Sequence, residues 1–487
     1  MSARLTRIPW STWRPKLVEC LAGYSRADFG ADLVAGVTVG LVALPLAMAF
    51  GIASGTTPQA GIYTAIVGGF LVAGLGGSKI QVSGPTGAFV AIVAGIIAKH
   101  GMSGLLTVTM MAGVVLLFLA FSGLGKAIRY IPRPIVIGFT NGIALLIVST
   151  QIKDFLGLSI GTVPSEFFER MRAFGEHLDT TQWPTLAMGA GSLLVIVAAP
   201  LVSKRVPGAI VALVLGTGLT ALLGLPVETI GTRFGGIPQS LPTLELPAFS
   251  WATAKQLVIP TVTIALLGAI ESLLCARVAD QLGTARRHDP NQELMAQGVA
   301  NFITPFFGGM PATGTIARTV TNVRAGATTP VAGMVHALTL LLVVLLAAPL
   351  ALYVPLAVLA GILLFVAWNM GEWHAFARLR QHSSHYRVLM LGTFFLTVVF
   401  DLTVALQVGL VLACALFIRR MSALFSVERI PGDAAVLHYK LYGALFFGAV
   451  ARIDEVVQAV ENGPHQPVVV LDALQLVHLD TSGLDTL

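Results

Sequence analysis

Of 487 residues, 55% are hydrophobic and only 11% charged, and the mean hydropathy is +0.82; a soluble domain carries about 25% charged residues. A soluble globular protein is excluded, and most of this chain belongs in lipid. The net charge of +6 does not point to a nucleic-acid partner, because the basic residues fall at helix ends rather than along one face. Three scattered cysteines (Cys20, Cys275 and Cys414) exclude a disulfide framework and a cysteine metal site.

Residues 1–27 carry Trp10, Trp13, four arginines and one lysine, with no apolar stretch and no small-residue cleavage site. They read as a cytoplasmic segment at the membrane interface, not as a signal peptide. From there, breaks at Gly, Pro and charge divide the chain into fourteen hydrophobic segments. These begin near Asp32, Pro58, Lys79, Ser103, Pro134, Gln182, Pro207, Lys255, Asn291, Met310, Pro330, Pro355, Val388 and Leu402. Apolar stretches near the ~20 residues that cross a hydrocarbon core recur throughout. The even number puts both termini on one side of the membrane. Connections on that side carry Lys126, Arg129 and Arg133; Lys204 and Arg205; Arg286 and Arg287; Arg378, Arg380 and Arg387; and Arg419 and Arg420. The longest opposite loop, 151–182, is acidic through Asp154, Glu166, Glu169, Glu176 and Asp179. The Lys/Arg bias makes both ends cytoplasmic, in a plasma (cell inner) membrane.

Two stretches recur in the same order. "YIPRPIVIGFTNGIAL" from Tyr130 parallels "YVPLAVLAGILLFVAW" from Tyr353, and "GGSKIQVSGPTGA" from Gly76 parallels "GGMPATGTIARTV" from Gly308, at offsets of 223 and 232 residues. One duplication with a short insertion explains both. Seven segments per half is an odd number, so the second half enters the membrane inverted. The predicted architecture is a 7+7 inverted repeat, 28–225 and 254–420, joined by an outer connector, 226–253. From 427 to 487 the pattern changes to that of a soluble α/β domain, with alternating strand residues, an amphipathic helix "ARIDEVVQAVENG" and a buried strand "PVVVLDALQLVHL". Leu487 falls where the next helix begins, which leaves the domain incomplete.

In both copies of the Gly-Gly motif, about seven extended residues (Ser78–Gly84 and Met310–Ile316) precede a helix that starts at Pro85 in one and near Ala317 in the other. Pro suits a first helical turn. Seven extended residues cover about 23 Å, and a helix from Arg318 to Arg324 or Gly326 adds about 10–13 Å, so the helix begins near mid-membrane. Extended backbone at that depth must be buried in protein or line a cavity. Two half-helices entering from opposite sides bring their N-termini together, each with unpaired N–H groups and about half a positive charge. Arg318 adds a full charge, at an insertion cost of about 2.5–3.5 kcal/mol. The residues point to an anion site. The alternative is that Arg318 is interfacial and snorkels to headgroups.

These stretches, with "LPLAMAFGIASGTTPQAGIYTAIVGGFL" on the amino side and "VVVLDALQLVHLDTSGL" in the tail, resemble the SulP anion transporters, the family that includes prestin and pendrin, with a carboxyl-terminal STAS domain. The resemblance covers nearly the whole chain. It implies UraA-like core and gate domains, a homodimer, elevator-type alternating access, and substrates among sulfate, bicarbonate, chloride, oxalate and dicarboxylates. It implies a substrate site of Arg318 with Ala317 and Thr319, the third-segment helix start Pro85, Thr86, Gly87 and Ala88, and Leu46 and Phe50 of the first segment. Two departures stand out: many members have Ser where this chain has Ala317, and Gln where it has Leu46.

Glu271, in "ALLGAIESLLCARVAD", is the other charge at mid-segment, opposite Ala47 in the repeat. A carboxylate there exchanges a proton or binds Na⁺, and its protonation as the anion enters neutralises the load. A structural pairing with Arg277, Arg318 or a backbone donor is the alternative. Asn141 reads as an interhelical hydrogen bond, His336 as a lone packed histidine, and Ser482 as a turn residue at a position that is phosphorylated in soluble STAS relatives. The expectation is proton-coupled symport of a small inorganic or dicarboxylate anion, with no cofactor beyond the coupling H⁺ or Na⁺, and a STAS surface for a cytoplasmic partner. The competing readings are an anion exchanger, an uncoupled channel, a nucleobase permease of the same fold and a STAS-linked receptor. No nucleophile–base pair, metal cluster or nucleotide loop suggests an enzyme.

Overall fold

The computed structural model describes residues 13–487 except 124, 126–131, 162, 165, 203–206, 241, 245, 248–249, 283–286, 401–407, 409–410, 413–414, 416–417, 419–420, 423, 432–435, 447–448 and 462–467. Trp10, Lys126, Arg129, Lys204, Arg205, Arg286, Cys414, Arg419, Arg420 and most of the fourteenth segment lie outside the described residues. The rest divides into two compact units, one within 1–381 and 390–406, the other within 382–389 and 407–487.

The first unit is helical. A capping box starts α1 (Arg26–Ala53), in which Ser25 and Asp28 each satisfy the other's backbone N–H. Next is α2 (Pro58–Leu75), interrupted by a π-turn at Thr64–Gly68. A two-residue strand β1 (Ser83–Gly84) leads into α3 (Gly87–Phe121), which bends where Gly101 takes φ 65°. That bend separates the third and fourth predicted segments. Further on are α4 (Arg133–Leu156), α5 (Phe167–Glu176), α6 (Trp183–Val202), α7 (Gly208–Leu223), α8 (Val258–Leu282) and α9 (Pro290–Ile303). The crossing strand β2 (Thr313–Gly314), then α10 (Ile316–Arg324), α11 (Val331–Ala347), α12 (Leu356–Met370) and α13 (Ser384–Val399) complete the series. Among the described residues, six spans are long and apolar enough to cross a membrane: α1, α2, α3, α4, α8 and Val331–Tyr353. This is a polytopic helical membrane protein.

The packing relations come in pairs. α1 lies along α11 and α8 along α3; α2 meets α11 and α9 meets α3. Small residues allow the close approach: a Cβ on Gly36 or Gly40 of α1 would strike Val335 or Thr339 of α11. Across the first crossing, Ser83 pairs with Gly314 and Gly84 with Thr313, antiparallel.

The second unit carries a three-stranded sheet in which β3 (Ser426–Ile430) is antiparallel to β4 (Val436–Leu445), and β4 is parallel to β5 (Val468–Leu479). The helix α14 (Ala451–Glu461) makes the crossover that a parallel pair requires. Phe425, Leu441, Leu445, Ala449 and Ile453 form its core. The sequence predicted β5 as a buried strand, but it is largely exposed. Among the described residues it lies at the edge of the sheet, paired with β4.

Candidate functional site

Glycine and proline explain why the crossing stretches are extended, and side chains from neighbouring helices hold them there. On the first stretch, Thr315 of the second donates both its N–H and its hydroxyl to Val82 O, each at 2.9 Å. Thr319 Oγ1 accepts from Val82 N at 2.9 Å, and Asn322 Nδ2 donates to Ile80 O at 2.9 Å. From α9, Glu293 accepts four hydrogen bonds, from Gly77 N at 3.1 Å, Ser78 N at 3.2 Å, Gln81 Nε2 at 3.0 Å and Gln297 Nε2 at 3.0 Å. Gln297 Nε2 also reaches Ser83 Oγ at 3.0 Å. The second stretch is clamped by Thr64, whose hydroxyl accepts from Met310 N at 2.7 Å, and by Asn301, which exchanges two bonds with Ala312. The π-turn in α2 sits at this clamp, where such turns often mark functional positions.

The helix starts differ slightly from expectation. Pro85 does not occupy the first helical turn: Thr86 is the N-cap and Gly87 the first helical residue, because the Thr86 hydroxyl caps Ala88 N at 3.4 Å. On the other side Thr315 is the N-cap and Ile316 the first residue, which makes Arg318 the third.

Arg318 is 1% exposed, so it does not snorkel. Its Nη2 donates to Pro85 O at 3.3 Å, its Nη1 is buried with no hydrogen-bond partner, and the guanidinium lies against Gly84. The cation of one crossing segment is thus seated beneath the helix start of the other. Ala317 is exposed at the N-terminus of α10, while Thr319 is buried and meets Cys275 Sγ at 3.1 Å. A Cβ on Gly87 would come within 3.3 Å of Phe50 and strike Ile147, so the third-segment helix starts against α1 and α4. Ala88 and Leu46 are buried without polar atoms to offer.

Glu271 joins the same cluster. Its Oε1 accepts from Thr86 Oγ1 at 2.7 Å, and its Oε2 is buried with no partner. The expected alternatives, Arg277 and Arg318, do not bond it. Asn141 is a correction, since its amide donates to Ile137 O of its own helix at 3.0 Å, as polar side chains commonly do in apolar helices, and makes no interhelical bond among the described residues. His336 is fully buried with neither ring nitrogen bonded. Ser482 is exposed at the start of the short helix Thr481–Thr486, whose N-cap is Asp480. A polar cavity of about 430 Å³ lined by Lys153, Asp154, Glu228 and Arg233 lies at the end of α4, away from the crossing. There burial opposes the Arg233 charge, but hydrogen bonds to Glu228 and Asp154 raise its pKa above the usual arginine value.

The sequence reading missed Glu293, Gln297 and Asn301. Their spacing of four places all three on one face of the helix, a signal that was present.

Two broken helices crossing at a buried cation, inside a bundle of apolar spans, define an integral membrane protein built around a buried charged site. The chain belongs to the sulfate permease (SulP) family, whose family model matches residues 29–393. It is 40% identical over 472 residues to the putative sulfate transporter YvdB of Bacillus subtilis, covering 95% of this chain and 88% of that one. It is 33% identical to the bicarbonate transporter BicA of a Picosynechococcus species, covering 91% and 85%. Among solved structures, the transmembrane domain of a cyanobacterial BicA superposes with a TM-score of 0.72 at 33% identity, over 78% of this chain and 97% of that one. Murine Solute Carrier 26 family member A9 in its inward-facing state gives 0.87 at 17% identity, over 100% and 87%, and shares the fold. The family makes this chain an anion transporter, and the carboxyl-terminal sheet and helix fit a STAS domain.

Proposed function

We propose that the chain is a secondary active transporter, carrying a small anion together with a proton across the plasma (cell inner) membrane by elevator-type alternating access. The proposed architecture is a 7+7 inverted repeat with core and gate domains, both termini cytoplasmic, working as a homodimer with the STAS region open to a cytoplasmic partner. The observation that carries this is the Nη1 of Arg318, a buried guanidinium nitrogen without a partner where two helix N-termini meet. A buried charge lacking compensation is costly, and an anion at this point would supply it. Pro85, Thr86, Gly87, Ala88, Ala317 and Thr319 frame the proposed site, with Leu46 and Phe50 as its apolar wall.

Arg318 acts largely through its field. Its side chain is turned toward Pro85, while the exposed positions at the α10 N-terminus are Ile316 and Ala317. The anion then takes its hydrogen bonds from helix N–H groups, and the arginine supplies net charge across a low-dielectric gap. Glu271 is the proposed proton carrier, and its unpartnered Oε2 is the free position for the proton. The relatives' descriptions favour sulfate or bicarbonate over a dicarboxylate.

The test is uptake by purified protein in liposomes of labelled sulfate, bicarbonate and fumarate, with and without an inward proton gradient. Saturable uptake of one anion, accelerated by the gradient, is the expected result. Flux indifferent to the gradient but dependent on a counter-anion inside would replace symport with exchange.

A further inference from the structure

We infer that the Thr86 hydroxyl is the link by which protonation of Glu271 tightens anion binding, giving its single hydrogen to one of two competing acceptors. This deepens the symport reading above and rests on it. A threonine hydroxyl has one hydrogen to donate. Here it points from the N-cap of α3, where the anion would sit, to Glu271 Oε1 at 2.7 Å. While Glu271 is ionised, that bond is charge-assisted and about twice as strong as a neutral one. The hydroxyl is then withheld from the anion, and the carboxylate repels it. A proton arriving on Glu271 changes both conditions. The carboxyl becomes an ordinary acceptor, or turns and donates its own hydrogen to Thr86 Oγ1, and the Thr86 hydrogen is released to the anion. The proton and the anion leave together on the other side, and Thr86 returns to the carboxylate.

Among the described residues, no other titratable group competes for this role. Of the titratable and charged groups on the elements packed around Glu271, Cys275 on its own helix is engaged with Thr319, Asp280 is paired with His288, and Arg277, Arg324 and Lys255 are exposed. Arg318 on α10 is bonded to Pro85 O, and Glu293 on α9 is fully engaged by four donors. Lys99 and His100 lie more than two turns along α3 from its start. Among the described residues, Thr86 alone bonds Glu271.

The experiment measures KM for sulfate and for fumarate in liposomes at acid and at alkaline pH. Wild type and Thr86→Ser should bind about tenfold more tightly at acid pH, the worth of one hydrogen bond to a charged group. Glu271→Gln should be tight at every pH, because its amide can donate to Thr86 Oγ1 and leave the hydroxyl free. Thr86→Val should be weak at every pH, with most of the pH dependence gone, and Thr86→Ala should repeat this should the valine fail to fold. Wild-type pH dependence in Thr86→Val or Thr86→Ala overturns the link and leaves symport standing. Wild-type pH dependence in Glu271→Gln overturns Glu271 as proton carrier, and the link with it. Uptake of none of sulfate, bicarbonate and fumarate by wild type overturns the transport reading on which both rest.

Discussion

Arg318 and Gly84 are in contact across the two crossing segments, and a methyl group on residue 84 would occupy the place of Arg318 Nη1. Glycine leaves room for the guanidinium against its backbone, with φ in the ordinary range. Gly84→Ala should push the guanidinium away from Pro85 O and cost about 1–3 kcal/mol of stability, as overpacking does. Anion uptake should fall by at least an order of magnitude while KM rises. Normal uptake in Gly84→Ala, measured in the same liposomes, would show that the seat of Arg318 does not matter.

Removal of Arg318 itself should separate function from folding. Arg318→Ala abolishes uptake, yet the melting temperature in detergent should change little. The cavity left behind costs stability, and the relief of a buried, half-bonded charge returns it. Arg318→Lys keeps the charge but loses the planar fork that reaches Pro85 O, so partial uptake with raised KM is expected. A large drop in melting temperature for Arg318→Ala would mean the guanidinium is a structural strut.

Glu293 should behave in the opposite way. Glu293→Ala leaves three buried donors without an acceptor, and Gln297 with Ser83 alone, and should destabilise the protein by about 3–5 kcal/mol, seen as lost expression or an early melting transition. Glu293→Gln retains one acceptor oxygen and should cost about 1–3 kcal/mol. Comparable melting temperatures for the two variants would mean that water satisfies Gly77 and Ser78 instead.

The contrast between these two residues shows what the sequence could reveal. Arg318 was legible because a charge beside Gly, Pro and Thr breaks the apolar pattern, and because the Gly-Gly motif recurs. The helix breaks at Gly101 and Gly326 and the crossing at 78–84 followed from the same punctuation. Glu293, Gln297 and Asn301 were visible as one polar face, but their partners Gly77, Ser83 and Ala312 include residues more than 200 positions away, and spacing along a helix does not say what the face meets. The Thr86 cap was missed for a local reason: Pro85 and Thr86 both suit a helix start, and only the hydroxyl's position decides between them. β5 reads as a buried strand by composition, since an apolar run looks the same at an edge as at the centre of a sheet.

Asp32 offers a test of how the first segment is anchored. Its carboxylate is fully buried and accepts from Thr328 N at 2.7 Å, Thr329 N at 3.1 Å, Thr328 Oγ1 at 3.1 Å, Tyr24 OH at 3.0 Å and the Thr329 hydroxyl. The clamp ties the first turns of α1 to the connection between α10 and α11. Burial, then the hydrogen bond to Asp32, pushes the Tyr24 phenol from 10.0 up to about 12. The shifted group is protonated in the clamp, so its contribution is complete below pH 10.0 and disappears as pH rises toward about 12. Wild type should therefore lose thermal stability over that interval more steeply than Tyr24→Phe, which has no phenol proton to lose. Below the interval Tyr24→Phe should be less stable by about 1 kcal/mol, one hydrogen bond. Parallel pH profiles for the two proteins would show that Tyr24 does not hold Asp32 in solution.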